Sequence, residues 1–163
     1  MNRKALMLAV LLGSGLFALT GQQSTPSGVF TQTQADAGRA AFENTCGKCH
    51  TPTLLGRKGD PGELPPLSSL PVEYQEFIER SGGFVAPLAG PVFLNHWGSS
   101  TTAQLIERLQ EAVGAFPPEG MNDETTVNIT AYVLRVNGAK AGTQPLTRST
   151  AVIVRSVTAD SAR

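Results

Sequence analysis

Four stretches of the chain repeat apolar residues at helical spacing, and the segments between them are dense in glycine and proline. The first stretch begins at Thr31 or Thr33. Thr31-x-x-Gln34 has the form of a capping box, and Ala35, Gly38, Ala41 and Phe42 recur three or four apart on the way to Cys46. The second, Val72 to Arg80, is stopped by Gly82-Gly83. The third opens on Thr101-x-x-Gln104, aligns Leu105, Ile106, Leu109 and Val113, and ends at Gly114. The last takes Asn122 or Asp123 as its cap and carries Asp123 and Glu124 in its first turn, where acids suit the helix dipole. It places Val127, Ile129, Ala131, Tyr132, Leu134 and Val136 before the terminating Asn137-Gly138. Thr51 to Leu70, Ala86 to Gly98 and Phe116 to Asn122 are predicted loops, the second carrying the only tryptophan, Trp97. Beyond Gly142, the β-branched alternation from Ala151 to Val157 predicts a short edge strand or extended chain. The pattern as a whole predicts an all-α domain with almost no sheet.

The N-terminus has a different pattern. Arg3 and Lys4 precede an apolar run, Ala5 to Leu19, that is broken only by Gly13, Ser14 and Gly15. Small Ala18 and Thr20 flank a candidate cleavage point, and polar Gly21-Gln22-Gln23-Ser24 follows. The run is shorter than an ordinary spanning helix. Residues 1–20 are therefore expected as a signal peptide or an N-terminal anchor, residues 21–30 as a linker, 31–142 as the folded domain and 143–163 as a C-terminal tail. No cysteine lies near the cleavage region, which disfavours lipid attachment there. The folded part is expected in the periplasm, with membrane contact only through an uncleaved anchor.

Composition narrows the class. With 163 residues the chain suits one domain, and 13 basic residues balance 13 acidic ones. A neutral chain with no basic block argues against a nucleic-acid partner. Its 17 glycines, 11 prolines and 6% aromatic content leave little hydrophobic core for its length, so a large buried apolar cofactor would help it fold.

The chemistry is concentrated in Cys46-Gly47-Lys48-Cys49-His50. This spacing lets two thiols on one turn reach the two vinyl groups of a haem, while the adjacent histidine presents its imidazole to the iron. Thioether attachment keeps such a cofactor from being lost outside the cell. Three other readings compete with it. A structural zinc site normally takes four ligands, and the fourth would have to be distant His96. A thioredoxin-like pair belongs beside a βαβ pattern, which is missing here. A plain disulfide suits an exported protein but leaves His50 without a role. The remaining carboxylates are scattered, and no catalytic acid–base pair is expected.

With these residues in place, the chain resembles the class I c-type cytochromes over Thr33 to Gly138. In that family an N-terminal helix with a glycine, and an aromatic four residues on, runs into the haem motif. A C-terminal helix bearing an aromatic then crosses it. Gly38 and Phe42 match the first, and Tyr132 within Ala131-Tyr132-Val133-Leu134 matches the second. Gly38, lacking Cβ, admits a close helix approach. Pro87-Leu88-Ala89-Gly90-Pro91 with Phe93 and Trp97, and the Ile129 to Gly142 ending, are similar to cytochrome domains associated with bacterial quinoprotein dehydrogenases.

The resemblance implies a class I cytochrome c fold around one covalent haem c. It implies a single-electron carrier rather than an enzyme, with a quinoprotein dehydrogenase as donor and an oxidase or other cytochrome as acceptor. It also implies a distal methionine. Met121, the only methionine after the motif, lies in a loop ahead of the last helix. Phe116-Pro117-Pro118 takes the place where the family's methionine usually stands, so Met121 needs a sharp turn, which Gly120 eases. Two alternatives stay open. One is an open or water-bound distal site, as in a ligand sensor or weak peroxidase, and the other is ligation by His96. The family also holds the proximal imidazole on a proline-loop carbonyl, for which Pro65-Pro66-Leu67 and Ala86-Pro87-Leu88 both qualify. If it is the second, Gly59 to Val85 is an insertion with its own helix. Trp97 is read as a propionate donor or a packing residue, and Lys48, Arg57 and Lys58 as a solvated face or a guide for an acidic partner.

Overall fold

The computed structural model describes residues 28–58, 64, 66–114 and 121–158. The expected signal or anchor segment, the Gly59 to Gly62 turn and the Phe116 to Gly120 stretch lie outside the described residues. Among those described, seven α-helices follow in order: α1 (Gln32–Asn44), α2 (Gly47–His50), α3 (Val72–Arg80), α4 (Gly90–Trp97), α5 (Thr102–Gly114), α6 (Asp123–Val136) and α7 (Val154–Thr158). A 3-10 turn at Leu67–Ser69 precedes α3. Pairing of the β kind is limited, among these residues, to isolated bridges Thr31–Gly142 and Thr101–Ile153. The fold is all-α.

The ends of the helices are set by local chemistry. At Thr31 the box closes in both directions: Gln34 N–H donates to Thr31 Oγ1 at 3.2 Å, and Thr31 N–H donates to Gln34 Oε1 at 3.2 Å. Thr101 and Gln104 repeat the arrangement at 3.2 and 2.9 Å, although α5 itself starts one residue later. At α6, the Asn122 side chain accepts from Thr125 N–H at 2.8 Å.

The core is built on α6, whose residues from Thr126 to Leu134 are buried except Asn128. It packs against α1, α5 and α7, so no polar face is left on its middle turns. Two buried threonines there satisfy their hydroxyls within the helix: Thr126 donates to Asn122 O at 3.1 Å and Thr130 to Thr126 O at 2.9 Å. At the crossing with α1, a Cβ on Gly38 would overlap the Asn128 carbonyl, so the helix backbones meet there. Fully buried Phe42 lies beside Tyr132 with ring centroids 5.5 Å apart. Arg135 then ties α6 to α1 through Asp36 at 2.7 Å.

Two sequence expectations need correction. Ala86 to Gly98 is not wholly loop: Gly90 to Trp97 form α4, with Pro91 in the first turn, where a missing N–H costs nothing. Fully buried Phe93 then anchors α4 in the core. The Ala151 to Val157 segment is neither a strand nor plain extended chain. Ile153 makes one antiparallel bridge to Thr101, and the chain then turns into α7 with Val154 completely buried. Backbone bonds from Thr102 N to Val152 O (2.8 Å), Val154 N to Ser100 O (2.9 Å) and Arg155 N to Gly98 O (3.0 Å) dock this segment on the α4–α5 junction. Leu146 is also buried, so residues after Gly142 contribute to the core.

Candidate functional site

Cys46 to His50 form one helical turn continuing from α1. Thr45 N–H still bonds back to Ala41 O at 3.1 Å, while Cys49 and His50 N–H donate to Cys46 O at 3.1 and 2.9 Å. The thiols, three residues apart, therefore stand on one side of the turn. Both cysteines are free and half-buried. Burial pushes both thiols above their ordinary value. At Cys46 the Thr45 hydroxyl, 3.4 Å from the sulfur, partly counters this, and at Cys49 the nearby Arg57 charge does so.

The cysteines face different apolar clusters. Cys46 packs on the main core, together with half-buried Leu55, Leu88, Leu94, Trp97, Leu109 and Met121. Cys49 packs on a second cluster of Leu70, Ile78 and Val85, flanked by Leu67 and Tyr74. This second cluster is made by α3 and its flanking turns, so the Gly59 to Val85 stretch carries a small core of its own.

His50 is tied to the chain just after Val85 of the second cluster. Its Nδ1 lies 2.9 Å from the Ala86 carbonyl oxygen, which can only accept, so Nδ1 carries the hydrogen and Nε2 keeps its lone pair. Of the two proline-containing loops, the second supplies the carbonyl. Burial pushes the imidazole below its ordinary value of 6.5, outweighing the opposing effect of the Ala86 bond. The ring is thus neutral near pH 7, the form in which histidine binds metals.

Behind His50 the chain is wound tightly. Thr51 and Leu54 have φ of 67° and 62°, and Gly56 has 71°. Left-handed backbone at two side-chain-bearing residues is a strained arrangement of the kind found beside functional groups. Gly56 N–H donates to His50 O at 3.2 Å, and a Cβ on Gly56 would meet the Val85 carbonyl. Leu88 N–H donates to Leu54 O at 2.7 Å. The Thr51–Gly56 loop is therefore pressed against the strip that carries Ala86.

The other candidates sort as follows. Met121 is half-buried against the main core, in the same cluster as Cys46. His96 is exposed and meets Trp97 edge-on, with ring centroids 5.1 Å apart. Trp97 is half-buried on the core. Lys48 and Lys58 are exposed, whereas Arg57 is half-buried. Among the described residues no three His, Cys, Asp or Glu side chains converge as ligands of a bare metal ion. A cleft of about 340 Å³ between the starts of α1 and α6, lined by Thr31, Gln34, Val127, Asn128 and Leu146, shares no residue with this site. Its Gln34 is engaged by the Leu146 backbone at 2.8 and 2.9 Å. Among the described residues no helix is long and apolar enough to cross a membrane.

Sequence reasoning did not pick out the second apolar cluster or buried Asn137, whose side chain bonds the backbone at Leu88 and Gly90. Neither has a local signal, because both depend on how separate segments meet. No protein-family model, no curated protein and no solved structure matches this chain.

Proposed function

We propose that this chain is a periplasmic monohaem c-type cytochrome of class I type that carries single electrons. The observation that carries the reading is the donor set. Two free thiols stand on one side of a single turn, followed by a neutral imidazole whose Nδ1–H is already taken by a backbone carbonyl. Cys46 and Cys49 are suited to forming thioethers, each S–H adding across one vinyl group, and Nε2 of His50 is suited to the iron. The packing of the two cysteines on two apolar clusters fits a broad flat apolar group better than a single ion. When bound, the haem supplies reversible one-electron chemistry at its iron. The chain's own residues would hold it and orient the proximal ligand, and the apolar clusters on which Cys46 and Cys49 pack would exclude water.

Met121, packed in the same cluster, is the proposed distal ligand. Exposed His96, turned onto the edge of Trp97, is poorly placed for that role. A quinoprotein dehydrogenase is the proposed donor, and an oxidase or other cytochrome the proposed acceptor. The test is the optical spectrum of the protein exported from a host that attaches haem c. The oxidised form is expected to be low-spin with a weak sulfur-to-iron band that Met121→Ala abolishes, and the reduced form to be inert to carbon monoxide. High-spin iron with rapid carbon monoxide binding would instead indicate an open distal site, as in a ligand sensor or weak peroxidase.

A further inference from the structure

Asn137 follows the last residue of α6 and is buried, an unusual place for a primary amide. Helices commonly end on asparagine, but then the side chain usually faces water. Here three strong bonds engage it. Its Nδ2 donates to Val133 O at 2.8 Å, within its own helix, and to Leu88 O at 2.9 Å. Its Oδ1 accepts from Gly90 N–H at 3.0 Å. The side chain therefore reads both polarities of one turn, the Leu88–Gly90 backbone. Gly90 has φ of 78°, so this turn is one that an ordinary residue would not hold without strain.

That turn lies two residues beyond Ala86, whose carbonyl holds Nδ1 of His50 at 2.9 Å. It is gripped from both sides: Asn137 clamps Leu88 O and Gly90 N, and Leu54 O accepts from Leu88 N–H at 2.7 Å. With Leu88 fixed in this way, Ala86 has little freedom to approach or retreat from the imidazole. A satisfied buried amide of this kind is rigid, and losing one of its partners leaves another polar group stranded.

We propose that Asn137 is a positioning residue for the proximal ligand: through the Leu88–Gly90 turn it fixes how closely the Ala86 carbonyl holds His50. The proposal rests on the haem reading above, in which His50 Nε2 faces the iron. A close Nδ1–H···O=C bond makes an imidazole a more electron-rich ligand and favours oxidised iron. Releasing the turn lengthens this bond, makes the ligand poorer and raises the reduction potential.

The experiment uses the full haem-loaded protein and three variants. Asn137→Leu keeps the branched shape with a somewhat larger volume and removes all three bonds. Asn137→Asp keeps an acceptor for Gly90 and turns a carboxylate towards the Leu88 carbonyl, so it also serves if the leucine variant fails to fold. Thr31→Ala removes the cap of α1, far along the chain from the turn, and controls for plain loss of stability. Two readouts are taken: the reduction potential, and hydrogen exchange of the His50 Nδ1–H followed by NMR in the reduced protein. Both Asn137 variants are expected to raise the potential and to speed that exchange at least about five-fold, while Thr31→Ala changes neither. Unchanged potential and exchange in both Asn137 variants, or the same changes in Thr31→Ala, would overturn the proposal and leave Asn137 a helix terminator. Failure of the unmutated chain to take up haem would instead count against the cytochrome reading itself.

Discussion

Replacing Gly38 by alanine sets two effects of opposite sign against each other. In an exposed helix interior, Gly→Ala stabilises by about 1 kcal/mol, because alanine loses less backbone freedom on folding. At Gly38 the added carbon would fall on the carbonyl oxygen of Asn128 in α6, and 2.9 Å from Ile129 N. Those atoms belong to helix backbone and cannot swing aside as a side chain can. The helices must separate, loosening fully buried Phe42 and its partner Tyr132. Overpacking of a tight core costs about 1–3 kcal/mol, and contact with backbone puts this case at the upper end. The net expectation is a loss of about 2 kcal/mol. Urea unfolding measures it, with the aromatic chemical shifts of Phe42 and Tyr132 reporting the separation. A Gly38→Ala protein as stable as the parent, or more so, would refute the close crossing of α1 and α6.

Two further outcomes follow from the same packing. Val154→Ala should cost about 2 kcal/mol, two buried methyl groups plus an incompletely closed cavity, because Val154 is wholly buried where α7 docks. A neutral result in denaturant unfolding would mean that the segment after Gly142 lies loosely on the fold. The Arg135 guanidinium, and then the Gln32 amide, hold the exposed carboxyl of Asp36 below its ordinary 3.8. A depressed folded value contributes stability above the unfolded value and loses it as pH falls through the folded one. Asp36→Asn should therefore be slightly less stable than the parent at neutral pH, and the two should converge in acid. A gap that persists in strong acid would assign the effect to something other than this ion pair. The effect is small because the pair is exposed.

Local chemistry explains which elements were legible in the sequence. The boxes at Thr31 and Thr101, the Asn122 cap and the Gly82-Gly83 stop each leave a mark within a few residues, and α1, α3, α5 and α6 lie where these marks place them. α4 was hidden because Gly90-Pro91 carries the signal of a turn, although proline in a first turn is equally a helix start; burial of Phe93 decides between them. The Ala151–Val157 alternation misled because tertiary contacts with Gly98, Ser100 and Thr102 override a weak local preference over so short a segment. Within the site, the thiol spacing and His50 are read directly from consecutive residues. The choice of Ala86 over the Pro65–Pro66 loop, the second cluster on Cys49 and the Asn137 clamp all need segments far apart in sequence to be brought together.

The proposed covalent attachment of one haem through Cys46 and Cys49 is decided by the mass of the intact protein. The chain is exported from a host that matures c-type cytochromes, purified, denatured in acid and organic solvent, and weighed intact. The expected mass is that of the processed or unprocessed chain plus one haem. Cys46→Ser or Cys49→Ser would leave a single attachment, and the double variant would release the haem on denaturation. Recovery of the unmutated chain without haem, its two thiols free or joined to each other, would rule out covalent attachment.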